Sequence, residues 1–227
     1  MTPEFWADRT VLVTGHTGFK GAWLCAWLDQ VGARLSGYSL APEGEHNLWT
    51  SLKMGDRVAS TIADINDAQA LRAVIDTQQP EIIFHFAAQS LVRRSYRDPV
   101  DTFAANVIGP FLVIRALRLA LAKAGQARIA ILSSRMGSNA HAGGNAFIYR
   151  ASKAAVTNLA SNLALELAGD GISVGAYHPG WVRTDMGGDA ADLDVATSAK
   201  GLMTCFAALS PATSGCFQSY DGTVLGF

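Results

Sequence analysis

Thr10-Val11-Leu12-Val13-Thr14-Gly15-His16-Thr17-Gly18-Phe19-Lys20-Gly21 is the stretch that decides the fold. A short β-branched run ends at a glycine, and two more glycines follow at spacing G-x-x-G-x-x-G before an apolar helical pattern begins. The run reads as a buried strand. Phe19 to Val31 reads as an amphipathic helix, with Leu24 and Leu28 at i, i+4 and a glycine stop at Gly32. Strand, glycine turn and helix in that order present bare backbone N–H groups at the positive end of a helix, a setting that holds a pyrophosphate. Glycine at these positions lets the backbone approach the phosphates and the helix pack on the strand. A dinucleotide, NAD or NADP, is the expected ligand, with Thr17 and Phe19 beside the glycines; a plain turn is the alternative.

Outward from this loop, apolar runs and helical patterns alternate to the end of the chain. Strands are expected at Arg34 to Leu40, Val58 to Ala63, Glu81 to Ala87, Arg128 to Ser133, Ile172 to His178 and Gly215 to Tyr220. Helices are expected at Ala68 to Gln78, Val100 to Ala124, Ile148 to Ala168 and Ser198 to Leu209, and Ala41 to Gly55 reads as loop. Strands separated by helical segments pair in parallel through right-handed crossovers, under helices on both faces. With the glycine loop after the first strand, this is an α/β, doubly wound parallel sheet, a three-layer Rossmann fold, expected as one domain over residues 1–227.

The chain has 227 residues, 49% hydrophobic and 16% charged, which suits a globular chain with a full core. A net charge of -1 gives no broad basic surface for nucleic acid; Arg93, Arg94 and Arg97 form a local patch that also reads as a loop beside a cleft. Cys25, Cys205 and Cys216 have no ligand-like spacing, and an odd, sparse count points to a reducing, cytoplasmic setting. No metal is expected. The N-terminus lacks a secretory pattern, and the richest apolar stretch, Pro110 to Ala122, is broken by Arg115 and Arg118, so no membrane span is expected.

Tyr149 and Lys153 are four apart and so share a helical face. Tyrosine, with an ordinary pKa of about 10, is a poor base at neutral pH. A nearby ammonium and a positive nicotinamide would lower that pKa, letting the phenol exchange a proton with a carbonyl or alcohol oxygen during hydride transfer. Ser134, at the end of the fifth strand, would hydrogen-bond the same oxygen. Asn106, mid-way along the preceding helix, would hold a water that relays protons to Lys153. A surface pair is the alternative for Tyr-x-x-x-Lys; the serine, the glycine loop and Pro179-Gly180 after the sixth strand favour the site. Ser39 stands where an acidic residue would bond a ribose and repel a 2′-phosphate, so the choice between NAD and NADP stays open. Asp64 would accept from adenine or cap the helix that follows. His85 reads as a core residue, while His16 either touches phosphate or is structural.

The chain resembles the short-chain dehydrogenase/reductase superfamily, its two halves different branches of it. Val11 to Gly21, Gly37-Tyr38-Ser39-Leu40 and His85-Phe86-Ala87-Ala88-Gln89-Ser90-Leu91-Val92-Arg93-Arg94-Ser95-Tyr96 resemble the start of the CDP-glucose 4,6-dehydratases. Leu132 to Ser138, Tyr149-Arg150-Ala151-Ser152-Lys153-Ala154-Ala155 and His178-Pro179-Gly180-Trp181-Val182-Arg183-Thr184-Asp185-Met186 resemble single-domain reductases of the C-factor type. The resemblance implies catalytic roles for Ser134, Tyr149 and Lys153 and support from Asn106. It implies that Thr184 meets the nicotinamide carboxamide, and that Asp64, Ile65, Ala87 and Ala88 line the adenine-ribose side.

Arg135-Met136 stand where such dehydratases carry an acid and a lysine, and the chain stops at Phe227, short of a C-terminal sugar-nucleotide domain. The expectation is therefore an engineered or recombined chimera joined within residues 106–115, with at most weak carbonyl/alcohol oxidoreductase activity on a small carbonyl substrate. A catalytically silent scaffold and a natural short-chain reductase are the alternatives. The resemblance also implies a homodimer through the two long helices, one of which holds the expected join.

Overall fold

The computed structural model describes residues 3–44, 46–89, 92–184 and 186–227. Ser90, Leu91 and Asp185 of the runs quoted above lie outside the described residues. In chain order the main elements are α1 (Pro3–Trp6), β1 (Thr10–Thr14), α2 (Phe19–Gln30), β2 (Arg34–Ser39), α3 (Leu48–Ser51), β3 (Ala59–Ile62), α4 (Ala68–Gln78), β4 (Ile82–His85), α5 (Val92–Arg97), α6 (Pro99–Phe103), α7 (Gly109–Lys123), β5 (Ala127–Leu132), α8 (Phe147–Glu166), β6 (Ile172–His178), α9 (Val195–Ala208) and β7 (Phe217–Ser219). They form two compact units, Met1–Ala88 with Ile108–Leu117, and Gln89–Val107 with Arg118–Phe227.

The first unit is built on a parallel sheet of order β3-β2-β1-β4. β1 lies inside it, and Val11, Leu12 and Val13 have no exposed surface, as expected for a β-branched run with strands on both sides. Glu81 sets the β1–β4 register: its carboxylate accepts from Arg9 at 2.5 Å and from the Thr10 backbone N–H at 3.0 Å. Asp67 caps α4 by accepting from the Gln69 and Ala70 N–H groups.

Two expectations change in this unit. α2 is not amphipathic. Ala22, Cys25 and Leu28 face the core while Phe19, Trp23 and Trp27, at i, i+4 and i+8, are exposed, so both faces are apolar. The stretch read as loop contains α3, a single turn that Asn47 caps by accepting from the Thr50 N–H at 2.9 Å. Its Trp49 is buried and meets the His16 ring edge-on, at 4.6 Å between centroids.

The second unit is built on a parallel sheet of order β5-β6-β7. Residues 172–177 of β6 are all buried. α9 begins at Val195, three residues earlier than expected, because Asp194 accepts from the Thr197 N–H at 2.7 Å and caps it there. Arg93, Arg94 and Arg97 lie on α5, a helix rather than a loop, where Arg94 faces Asp98 at 3.7 Å.

The helix expected from Val100 to Ala124 runs from Pro99 to Lys123 but contains a π-helical turn at Ala104–Ile108. Its 25 residues make it long and apolar enough to cross a membrane by length and composition, which corrects the expectation that no stretch reaches that length. The sequence estimate stopped at the arginines. In the fold, Arg118 donates to Asp170 at 2.6 Å and to Glu166 at 2.8 Å.

Candidate active site

In the first unit, the glycine loop has the backbone shape that its spacing demands. Gly15 has φ +70, and a Cβ there would lie 2.7 Å from the Ala87 N and the Phe86 carbonyl carbon. A Cβ on Gly21 would lie 2.2 Å from the Gly15 carbonyl oxygen, so only glycine lets α2 start this close to the loop. Gly18 is the N-cap of α2, is exposed, and has no side chain to occupy the bare N–H groups. This is a cradle that a pyrophosphate fits.

Thr17 is buried and its hydroxyl bonds the Ser39 hydroxyl at 2.8 Å and the Leu40 carbonyl at 2.9 Å, tying the loop to the end of β2. Phe19 is exposed. Ile65 is buried, and Asp64 is exposed with its carboxylate accepting from the Asn66 backbone and side chain. Asp64 therefore does not cap α4; Asp67 does. Ala87 and Ala88 follow β4, where Thr14 Oγ1 accepts from the Phe86 N–H at 3.1 Å.

His16 turns into the core. It has no exposed surface, and its Nε2 bonds Ser60 Oγ at 2.7 Å. Burial lowers its pKa to about 4, partly offset by the Tyr38 backbone. Of its two readings the structural one is what the fold contains. His85 is partly buried, bonds Thr14 Oγ1 through Nδ1 at 2.7 Å, and is likewise lowered to about 4 by burial.

In the second unit, Ser134, Tyr149 and Lys153 come together. Ser134 follows β5 and caps a short 3₁₀ turn at Arg135–Gly137. A Cβ on Gly137 would lie 2.6 Å from the Lys153 carbonyl carbon, so this turn rests directly on the α8 backbone. Ser133 donates to the Lys153 carbonyl at 3.0 Å and adds a second tie. Lys153 Nζ lies 5.8 Å from the Tyr149 ring centre and donates to the Leu132 carbonyl at 3.0 Å. The Tyr149 phenol is raised above its ordinary pKa by burial, and the Ser134 hydroxyl pulls the other way. Desolvation of its charged form outweighs what opposes it.

Asn106 sits in the π-helical turn and is buried. Its Oδ1 accepts from the Gln89 N–H at 2.8 Å and its Nδ2 donates to the Gln89 carbonyl at 2.7 Å. The amide thus holds the backbone after β4. Pro179 accepts from Ser198 at 2.6 Å through its carbonyl, and Gly180 has φ +85. Thr184 is exposed, and its hydroxyl accepts from the Gly187 N–H at 3.2 Å.

Sequence reasoning missed Arg150. Its guanidinium donates to the carbonyls of His141 at 2.8 Å and Asn145 at 2.9 Å, bracing the loop between Ser134 and Tyr149. Its place inside the Tyr149–Lys153 run was a signal, but its partners are irregular loop carbonyls that no periodicity reports.

A family model described as GDP-mannose 4,6 dehydratase matches residues 12–136. CDP-glucose 4,6-dehydratase of Salmonella typhimurium is 43% identical over 115 residues, covering 51% of this chain, and this chain spans only 32% of its length. C-signal of Myxococcus xanthus is 39% identical over 129 residues, 56% of this chain and 78% of that protein. The NADPH-bound carbonyl reductase from chicken fatty liver superposes with a TM-score of 0.73 at 24% identity, over 97% of this chain and 100% of that one. The α/β parallel fold read from the sequence is therefore the fold of NAD(P)-binding oxidoreductases. A family match over more than half of the chain, and a relative of which it covers more than two thirds, make this chain a member of the short-chain dehydrogenase/reductase superfamily.

Proposed function

We propose that the chain is an NAD(P)-dependent carbonyl/alcohol oxidoreductase of low turnover, with residues 1–227 acting as one dinucleotide-binding domain. The observation that carries this reading is the convergence of Ser134, Tyr149 and Lys153 in the second unit, where the Ser134 hydroxyl acts on the Tyr149 phenol and Lys153 Nζ lies 5.8 Å from its ring centre. The loop at Gly15, Gly18 and Gly21 would hold the pyrophosphate. The cofactor supplies the hydride acceptor or donor. In reduction, Tyr149 Oη gives its proton to the carbonyl oxygen while Ser134 Oγ donates a hydrogen bond to the same oxygen. In oxidation, Tyr149 takes the proton back. Lys153 stabilises the phenolate, and Asn106 holds the backbone at Gln89. The raised phenol is protonated at neutral pH, which suits reduction.

The chicken enzyme binds NADPH, and Ser39 carries no charge to repel a 2′-phosphate, so both cofactors belong in the test. Titrating NADPH and NADH by fluorescence, then assaying small ketones with a Tyr149→Phe control, checks the reading. Failure of both cofactors to bind would refute it.

A recombined origin, with a join within residues 106–115, is supported by the two relatives above, a dehydratase and C-signal, which each match about half of the chain. The family-model match through residues 12–136 crosses that join and favours a continuous natural reductase instead. A join that displaces the catalytic groups by about 1 Å would cost roughly a hundredfold in rate, leaving a silent scaffold.

A further inference from the structure

Arg135 directly follows Ser134, on the 3₁₀ turn that rests on α8 at Lys153. It is exposed, and its guanidinium has no hydrogen bond or ion pair among the described residues. Its charge is felt by His178 at the end of β6, whose pKa is lowered to about 4, by burial first and then by Arg135. His178 is thus a neutral imidazole at pH 7, and its Nδ1 is buried with no hydrogen-bond partner among the described residues. His141 also acts on His178, and Asp221 opposes them; the Asp221 carboxylate is engaged by the Thr223 N–H at 3.1 Å. One unpaired guanidinium therefore stands on the residue next to the serine proposed to bind the reacting oxygen.

We propose that the substrate is an oxo acid, a carbonyl compound whose carboxylate is bound by Arg135 while Ser134 and Tyr149 hold the neighbouring oxygen. This rests on the oxidoreductase reading above. A guanidinium matches a carboxylate in shape through two parallel N–H···O bonds, and a single cation matches a monoanion better than a phosphate dianion. The chemistry is unchanged: hydride to the carbonyl carbon, the Tyr149 proton to its oxygen, the carboxylate untouched.

Benzoylformate and its methyl ester separate the two ideas. With NADPH or NADH, the wild type should prefer the acid over the ester by about tenfold or more in kcat/KM, chiefly through KM. In Arg135→Met the acid-to-ester ratio should fall to about one, and Arg135→Lys should restore part of it. Raising salt should weaken the acid and leave the ester. An equal preference in the wild type, or an unchanged ratio in Arg135→Met, overturns the proposal while leaving the oxidoreductase reading intact. If neither compound is reduced although cofactor binds, benzoylformate binding is followed by calorimetry on wild type and Arg135→Met. Binding lost only in the variant supports the carboxylate site, whereas equal binding, or none to the wild type, overturns it.

Discussion

Replacing His16 by phenylalanine should flatten the loss of stability in mild acid. His16 has no exposed surface, packs edge-on against Trp49, and is held at a pKa of about 4 against an ordinary 6.5. A folded-state value below the unfolded one means that the unfolded chain binds the proton first. The neutral ring therefore contributes stability that is complete above about pH 6.5 and is lost as the pH falls towards 4. Linkage between those two values gives a loss of about 2 kcal/mol from pH 7 to pH 5 for this residue alone, a large share of the ~5–15 kcal/mol of a typical domain. Phenylalanine keeps the aromatic contact and removes the titration. Its cost at pH 7 is the hydrogen bond to Ser60, about 1 kcal/mol, because Ser60 is exposed and water replaces the partner. Urea unfolding at pH 7, 6 and 5, with m-values compared, measures both effects. Wild type should lose about 2 kcal/mol more than His16→Phe over that interval. Equal losses would show that His16 is not buried in its neutral form, and the structural reading of this residue would fall.

Gly21→Ala places a Cβ 2.2 Å from the Gly15 carbonyl oxygen, so NADPH binding should be abolished, while Gly18→Ala, at 3.3 Å from the same oxygen, should only weaken it; fluorescence titration with circular dichroism as a folding control decides, and wild-type affinity in Gly21→Ala would refute the loop assignment. Asn106→Leu removes two buried hydrogen bonds to the Gln89 backbone and should cost about 2–4 kcal/mol in urea unfolding. Tyr149→Phe should lower ketone reduction by about a hundredfold or more with cofactor affinity kept. Because burial raises this phenol, wild-type alcohol oxidation should climb with pH through the neutral range while reduction stays flat there; a bell centred near neutrality would contradict that.

The strand–glycine–helix order at residues 10–21 was legible because each part has a local cause: β-branched residues for the strand, spacing for the turn, apolar recurrence for the helix. The proximity of Tyr149 and Lys153 was legible for the same reason, since four residues make one helical turn. The π turn around Asn106 was not, because it answers to the backbone at Gln89, 17 residues away. Arg150 was missed because its acceptors lie in an irregular loop. The single turn at Leu48–Ser51 carries too few residues for any period to show, although Asn47 had the right chemistry for its cap.

Sequence by itself determined the parallel α/β architecture, the dinucleotide-type loop and the pairing of a tyrosine with a lysine, all properties of spacing within one turn or one strand. Tertiary structure decided which way side chains face. It turned His16 inward against Trp49 rather than towards a phosphate, joined Thr17 to Ser39, set Gly137 against the backbone of Lys153, and raised the Tyr149 phenol by burial. The physical reason is that burial and close approach depend on neighbours far along the chain, and desolvation, which depends on burial alone, outweighs what opposes it at this phenol.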